Sequence, residues 1–268
     1  MALDQGYSLS EATGITLDLF KNIHKTLLSG NVRKNKKTIP GEFRTEQNYI
    51  TRSNSSNAIT YIPPQATDVM LLMENLISYI NDPKDNLRSL VRIAIIHAQF
   101  ETIHPFMDGN GRVGRILIPL YLKAKNEVEL PYFFISEALE RDKYKYYTLL
   151  NLTRTENNWS EWVKFFLQTV KLQCEKYIHI VDQINELYDR DLDKVNNILR
   201  SGKAVDLMRT LYKFPVITTQ QVSELTAIPK VTATRYLNLL AENRIVFSDG
   251  KKRNRFFFYY ELLDILHS

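Results

Sequence analysis

Residues 104–115 read His-Pro-Phe-Met-Asp-Gly-Asn-Gly-Arg-Val-Gly-Arg, and the reading of the whole chain turns on them. Gly109-Asn110-Gly111 can take up positive φ at little cost and turn consecutive N–H groups inward as an anion nest. A helix is predicted to begin directly afterwards, so its free N–H groups and positive end face the same place. Arg112 and Arg115 stand three apart on its first turn, where both guanidinium forks reach one face. Asp108 supplies a hard oxygen ligand for Mg²⁺ beside the phosphates such an ion would bridge. His104 adds a group that exchanges a proton near neutral pH. Alone, each part is ordinary: a histidine before proline commonly caps or packs, and Gly-Asn-Gly commonly turns. Gathered in one short span, they describe a site for a polyphosphate. A zinc protease is excluded, because His97 and Glu101 form no His-Glu-x-x-His pair. His97 falls in an apolar helix and reads as a packed core residue.

Around this stretch the periodicity is helical. Helices are predicted over 15–28, with Ser8 or Ser10 as N-cap, and over 67–81, 86–102, 116–125, 134–140, 142–154 and 159–200. Pro119 should kink its helix or lie near its end. The longest helix carries a candidate break at Asp189–Asp193. Between the first two, residues 29–48 read as a solvated loop carrying Arg33, Lys34, Lys36 and Lys37. Asn48–Thr51 and Ile59–Ile62, around a polar turn at 53–57, read as a β-hairpin ended by Pro63 and Pro64.

The chain of 268 residues, 44% hydrophobic with only 9 Gly and 9 Pro, buries a real core and is neither disordered nor collagen-like. Its 35 Lys+Arg against 30 Asp+Glu leave a net charge of +5, which points to an anionic partner without naming one. Its single cysteine, Cys174, excludes an internal disulfide and reads as packing. The N-terminus lacks a basic region followed by an apolar stretch, and no run reaches about 18 apolar residues. The expectation is a cytoplasmic protein with no membrane partner.

The stretch 104–115 resembles the Fic-family signature His-x-Phe-x-Asp/Glu-Gly-Asn-Gly-Arg-x-x-Arg at every defined position. The resemblance extends to Pro40-Gly41-Glu42-Phe43-Arg44, Tyr61-Ile62-Pro63-Pro64, Phe100-Glu101-Thr102-Ile103, and Glu140-Arg141 with Tyr146-Tyr147, covering roughly residues 8–170. It implies transfer of AMP from ATP to a Ser, Thr or Tyr hydroxyl of a protein, with release of pyrophosphate. His104 would deprotonate the hydroxyl, Phe106 anchor the loop and Asp108 hold Mg²⁺. Gly109, Asn110 and Gly111 would cradle the phosphates, and Arg112 and Arg115 hold the β- and γ-phosphates. The resemblance also makes the hairpin a flap whose Ile59, Thr60, Tyr61 and Ile62 bind the target backbone as an added strand. Tyr146 and Tyr147 are candidates to flank the adenine, and Gln99 to approach the nucleotide.

Many Fic proteins carry an inhibitory Ser/Thr-x-x-x-Glu-Gly/Asn helix whose glutamate pairs with the second motif arginine. Here Thr38/Glu42 contains Pro40 and Gly41, and Ser136/Glu140 is followed by Arg141. The inhibitory element is therefore expected upstream of the chain's start, on another protein, or absent, with Arg115 left open to the γ-phosphate.

After Ser201-Gly202 the pattern changes. Helices at 204–214, 218–225 and 231–243, then strands at 245–247 and 256–260 around Lys251-Lys252-Arg253-Asn254-Arg255, read as a winged helix-turn-helix. Arg235, Lys251, Lys252, Arg253 and Arg255 are its candidate DNA contacts, and a protein-docking role is the competing reading. The expected organisation is a mainly α Fic core with a β-hairpin flap over 1–172, a helical linker over 173–202 and an α+β winged helix over 203–268. Three functions compete: an Mg²⁺- and ATP-dependent protein adenylyltransferase; a DNA-binding regulator with a nucleotide-sensing or self-modifying core; and other Fic phosphate chemistry, including other nucleotide transfer, phosphorylation or removal of AMP.

Overall fold

Helix α4 (Ser89–Ile103) is the axis of the first unit, because its buried residues, from Arg92 and Ile93 to Glu101 and Ile103, lie all round it. Helices α2 (Leu17–Leu28), α3 (Val69–Ile80), α5 (Asn110–Ala124) and α7 (Lys143–Thr155) assemble around it. Trp162, fully buried, closes this core and donates Nε1–H to the Ala94 carbonyl at 2.8 Å. The computed structural model describes residues 2–29, 38–51, 59–84, 86–251 and 254–268, with Thr51, Ile59 and Thr60 entering through their backbone alone. The basic cluster at 33–37 and the turn at 53–57 lie outside the described residues. The chain is mainly helical and divides into two units, Met1–Gln173 and Cys174–Ser268.

Helix α1 (Ala2–Thr13) is not foreshadowed by periodicity, since its polar and apolar residues do not sort into faces. It packs through Gly6, where a Cβ would stand 3.0 Å from Leu120 Cδ1 and 3.2 Å from Ile23 Cγ1. The cap of α2 is Thr16, not Ser8 or Ser10: its hydroxyl accepts the Leu19 N–H at 3.3 Å. Pro119 lies inside α5, buried, rather than at its end. Strands β1 (Ile50–Thr51) and β2 (Ile59–Tyr61) pair antiparallel, Ile50 with Tyr61 and Thr51 with Ile59, so that Thr60 is an extra residue and the ladder bulges.

Helix α8 (Trp159–Leu199) runs without the break expected at Asp189–Asp193. Asp191, 2% exposed, is tolerated there because the Tyr259 hydroxyl donates to it at 2.7 Å while Arg190 and Lys194 pair with it at 2.9 and 3.1 Å. The stretch expected as a linker contributes Leu187, Val195 and Leu199 to the core of the second unit. That unit continues as α9 (Ala204–Lys213), β3 (Val216–Thr218), α10 (Thr219–Thr226), α11 (Lys230–Glu242), β4 (Phe247–Ser248), β5 (Phe256–Phe258) and α12 (Tyr260–His267). The sheet is antiparallel in the order β3-β5-β4. Thr218 and Gln221 form a capping box on α10, and Ala233, Tyr236, Leu237 and Leu240 of α11 point inward. Strand β3 and helix α12 are too short to announce themselves in sequence. Among the described residues no helix is long and apolar enough to cross a membrane.

Candidate functional site

A helix leaves its last carbonyls without partners inside it, and α4 ends directly before the motif. His104 caps it in the left-handed region, at φ 49° and ψ 61°. From Glu101 to Asp108 every carbonyl accepts a hydrogen bond from side chains or backbone beyond α4. Arg154 Nη2 donates to Glu101 at 3.2 Å, and the Tyr61 hydroxyl to Thr102 at 3.0 Å. Arg44 supplies Nη2 to Ile103 at 3.4 Å, Nε to His104 at 2.9 Å and its own backbone N–H to Pro105 at 2.8 Å. Asn48 Nδ2 reaches the Phe106 and Met107 carbonyls, both at 3.2 Å. His24 takes the last, Asp108, at 3.0 Å.

His24 was not singled out by sequence, although it follows Ile23 on the buried face of α2. Its Nδ1 accepts the Gly41 N–H at 2.9 Å, so Nε2 carries the proton and donates to Asp108. Burial lowers its pKa, consistent with the neutral ring. The ring stacks on Phe106 at 3.8 Å, with Phe43 on the same phenyl ring at 5.2 Å, which seats the fully buried Phe106 in the core. Asn110 is 1% exposed; its Oδ1 accepts the Phe106 N–H at 2.8 Å and its Nδ2 donates to the Phe106 carbonyl at 2.7 Å. Asn110 therefore spends its side chain on folding the loop and can offer an anion only its backbone.

The opposite side of the loop opens on a cavity of about 350 Å³. Asp108, Gly109, Gly111, Arg112 and Arg115 line it from the motif; Leu139, Glu140, Lys143, Tyr146 and Tyr147 line it from α6 (Ser136–Arg141) and α7. Gly109 sits at φ 83° and caps α5, giving the turn its left-handed residue where glycine fits best. Arg112 stands 3.7 Å from Asp108, both partly exposed. Arg115 is not open as expected: its Nη2 lies 3.4 Å from Glu140 Oε1. The Ser136/Glu140 spacing was visible in sequence, but only the fold of α6 brings that glutamate to the motif. Glu140 is 63% exposed, and a pair of that kind contributes about 0–1 kcal/mol, so an anion can displace it.

Behind the cavity lie three buried titratable groups. His97 donates from Nδ1 to the Gly114 carbonyl at 3.2 Å and accepts the Tyr146 hydroxyl at Nε2, 3.0 Å away. Burial holds its pKa down to about 4, in keeping with a packed core histidine. Burial pushes Glu101 up to about 7, with Arg115 and Arg154 drawing it back. Helices α4 and α5 approach so closely here that a Cβ on Gly114 would meet Glu101 Oε1 at 2.7 Å. His104 Nδ1 lies 4.0 Å from Glu101 Oε2, and the side chain is 16% exposed. Burial brings His104 down to about 4, so its imidazole is neutral at physiological pH and can take up a proton.

Other anticipated residues are placed unevenly. Tyr146 and Tyr147 both line the cavity, the first with its hydroxyl committed to His97 and the second 43% exposed. Gln99 does not line it: two residues on from His97, it is turned about 200° around α4 and faces solvent. Tyr61 turns inward, its ring 3.7 Å beneath the Arg154 guanidinium, whereas Ile62 is 58% exposed; Ile59 and Thr60 lie in β2. In the second unit Arg235 is exposed, Lys251 stands 3.6 Å from Asp249, and Arg255 is bound to Asn238 Oδ1 at 2.9 Å. Lys252 and Arg253 lie outside the described residues. Among the described residues no group of three or more His, Cys, Asp or Glu forms a metal cage. Asp108, the motif's own part-exposed carboxylate on the cavity, fits an Mg²⁺ ion that arrives with phosphates supplying its other ligands.

Residues 14–122 match the Fic/DOC family. Among curated relatives, the protein adenylyltransferase Fic of Drosophila grimshawi is 30% identical over 145 residues, covering 50% of this chain and 28% of its own. That of Drosophila melanogaster is 28% identical over 174 residues, covering 64% and 31%. The chain thus spans about a third of the length of these relatives. A Fic family protein from Desulfovibrio desulfuricans G20 aligns with a TM-score of 0.57 at 19% identity, over 96% of this chain and 72% of that one. Fic-1 from C. elegans aligns at 0.50 and 21%, over 68% and 50%. At such identities the likeness speaks for the fold.

Proposed function

We propose that the first unit, whose residues 14–122 match the Fic/DOC family, is a protein adenylyltransferase that acts in the cytoplasm and moves AMP from Mg-ATP to a Ser, Thr or Tyr hydroxyl of a protein. The observation that carries this reading is the meeting of Asp108, Gly109, Gly111, Arg112 and Arg115 on one cavity, next in sequence to a neutral histidine. The target hydroxyl gives its proton to His104 as its oxygen bonds to the α-phosphorus. The bond from that phosphorus to the β-bridging oxygen breaks, and pyrophosphate leaves. Arg112 and Arg115 offset the charge on the departing phosphates, and the N–H groups at the start of α5 hold their oxygens. Asp108 would hold Mg²⁺, whose chemistry is to neutralise phosphate charge. Tyr147 offers a face to the adenine. The β1–β2 hairpin takes the target backbone as an added strand, and the chain itself is one candidate target.

Incubation with ATP labelled at the α- or the γ-phosphate tests this. Label on protein from the α position alone is expected; label from the γ position would replace the reading with phosphorylation.

For the second unit we propose a winged helix that binds duplex DNA. The order of its helices and strands, and the exposed Lys230, Thr234 and Arg235 on α11, support it. Binding to duplex DNA that weakens steeply with salt is expected; no binding at low salt would leave a protein-docking module.

A further inference from the structure

The carbonyls of 101–108 are held from outside, and most of the donors that hold them come from the segment that forms the hairpin. Arg44 precedes it, Asn48 stands at its base and Tyr61 lies in β2. Arg44 is the centre of this arrangement. Its side chain is 3% exposed, and its guanidinium meets carbonyls alone: Ile103 and His104 on the motif side, Glu46 at 3.2 Å and Pro64 at 2.5 Å on the two hairpin stems. A buried cation without a carboxylate is costly, and apolar packing would fill the volume more cheaply. What only a planar fork of five N–H groups supplies is a fixed span between four acceptors on three chain segments. Gln47 closes the base by donating Nε2–H to the Pro63 carbonyl at 2.9 Å.

We propose that Arg44 is a positioning residue: it locks both stems of the β1–β2 hairpin and the backbone of His104 into one body, so that a strand added to the hairpin presents its hydroxyl at a fixed distance from the His104 imidazole. Arg44 touches no residue through the cavity and so acts on geometry, not on nucleotide binding. The proposal rests on the hairpin and His104 having the roles assigned above. Asn48 and Tyr61 extend the same tie to Phe106, Met107 and Thr102.

The test compares the full chain with Arg44→Lys, which keeps the charge but not the span, and Arg44→Gln. Three quantities are read: hydrogen exchange by segment, affinity for a fluorescent ATP analogue, and transfer of α-label to protein at saturating ATP. Exchange is expected to rise about tenfold at 45–51, 59–66 and 102–107 together, while α2 and α3 hold. Transfer is expected to fall on the order of 100-fold, the size of effect that a misplacement of about 1 Å produces. Analogue affinity should stay within about twofold, because no phosphate ligand is altered. Loosening of one segment without the others, unchanged exchange, normal transfer despite loosening, or affinity lost in parallel with transfer would each overturn the proposal. Should both Arg44 variants fail to fold, Asn48→Ala gives the same readings at the Phe106–Met107 end, with unchanged exchange there counting against the tie. A wild-type chain that transfers no α-label would refute the adenylyltransferase reading, while the exchange arm would still decide whether Arg44 makes one body of the two segments.

Discussion

The two sides of the loop at 104–111 are built on opposite terms. Behind it, His24, Arg44, Phe106 and Asn110 are buried, and most of the hydrogen bonds that hold it fall between 2.7 and 3.2 Å. In front, Arg112 and Arg115 stand 3.7 and 3.4 Å from half-exposed carboxylates, in pairs that a ligand can exchange. The difference teaches where precision is needed before the nucleotide arrives. Shape is fixed in advance by groups that never meet the substrate, while the charges that would meet it are held lightly.

His104→Ala separates chemistry from both sides. It removes a base but no residue that lines the cavity, so α-label transfer should fall about 10²–10⁴-fold with ATP affinity unchanged. Transfer that survived, measured in single turnover, would break the assignment of His104. Asn110→Ala probes the rear. It leaves the buried Phe106 N–H without its side-chain acceptor and the Phe106 carbonyl with Asn48 alone, and denaturant titration should report a loss of about 1–3 kcal/mol. A loss as small as a surface substitution gives would mean the rear is less tightly made than its distances say.

The rear also has a pH signature. Glu101 binds its proton more tightly in the folded chain, at about 7, than at the usual carboxyl value of 4.5. Its contribution to stability is therefore complete in acid and is lost as pH rises from about 4.5 to 7. Glu101→Gln keeps the neutral form and should stabilise the chain by roughly 1–3 kcal/mol at pH 8 and by almost nothing at pH 4. The same gain at both pH values would show that Glu101 does not titrate as its burial requires. His97 and His104 act in the opposite sense: each is held near 4, and stability is lost as pH falls from 6.5 toward that value. The smallest effect belongs to the front. Glu140→Gln should raise ATP affinity by no more than about threefold, since it removes one exposed pair from Arg115. A gain of tenfold or more by calorimetry would show that this pair is far stronger than its exposure allows.

These contrasts also mark what could be read in the sequence. The front of the site was legible because its residues are contiguous and their chemistry follows from type and spacing. The helices around it were legible where one face is apolar, as in α2, and not in α1, where no face sorts. The rear was legible only at Phe106, the anchor that the resemblance implies. Its donors serve backbone carbonyls, which every residue carries, so nothing at 101–108 marks what will bind there. Gln99 failed for a related reason: nearness in sequence to His104 says nothing of the turn of helix that points it to solvent. His24 carried one usable signal, a polar ring on the buried face of an amphipathic helix, which asks for two partners.

The carbonyl ties also change what a motif match is worth. The shape of the loop is stored in His24, Arg44, Asn48, Tyr61 and Arg154, scattered along the chain, and hardly at all in the letters at 105 and 107. A chain carrying the twelve letters without those distant donors would inherit the inventory of the site and lose its form. The signature is thus half of a message whose other half is written elsewhere, and grafting it alone onto another helical scaffold would transplant the ligands without the mould.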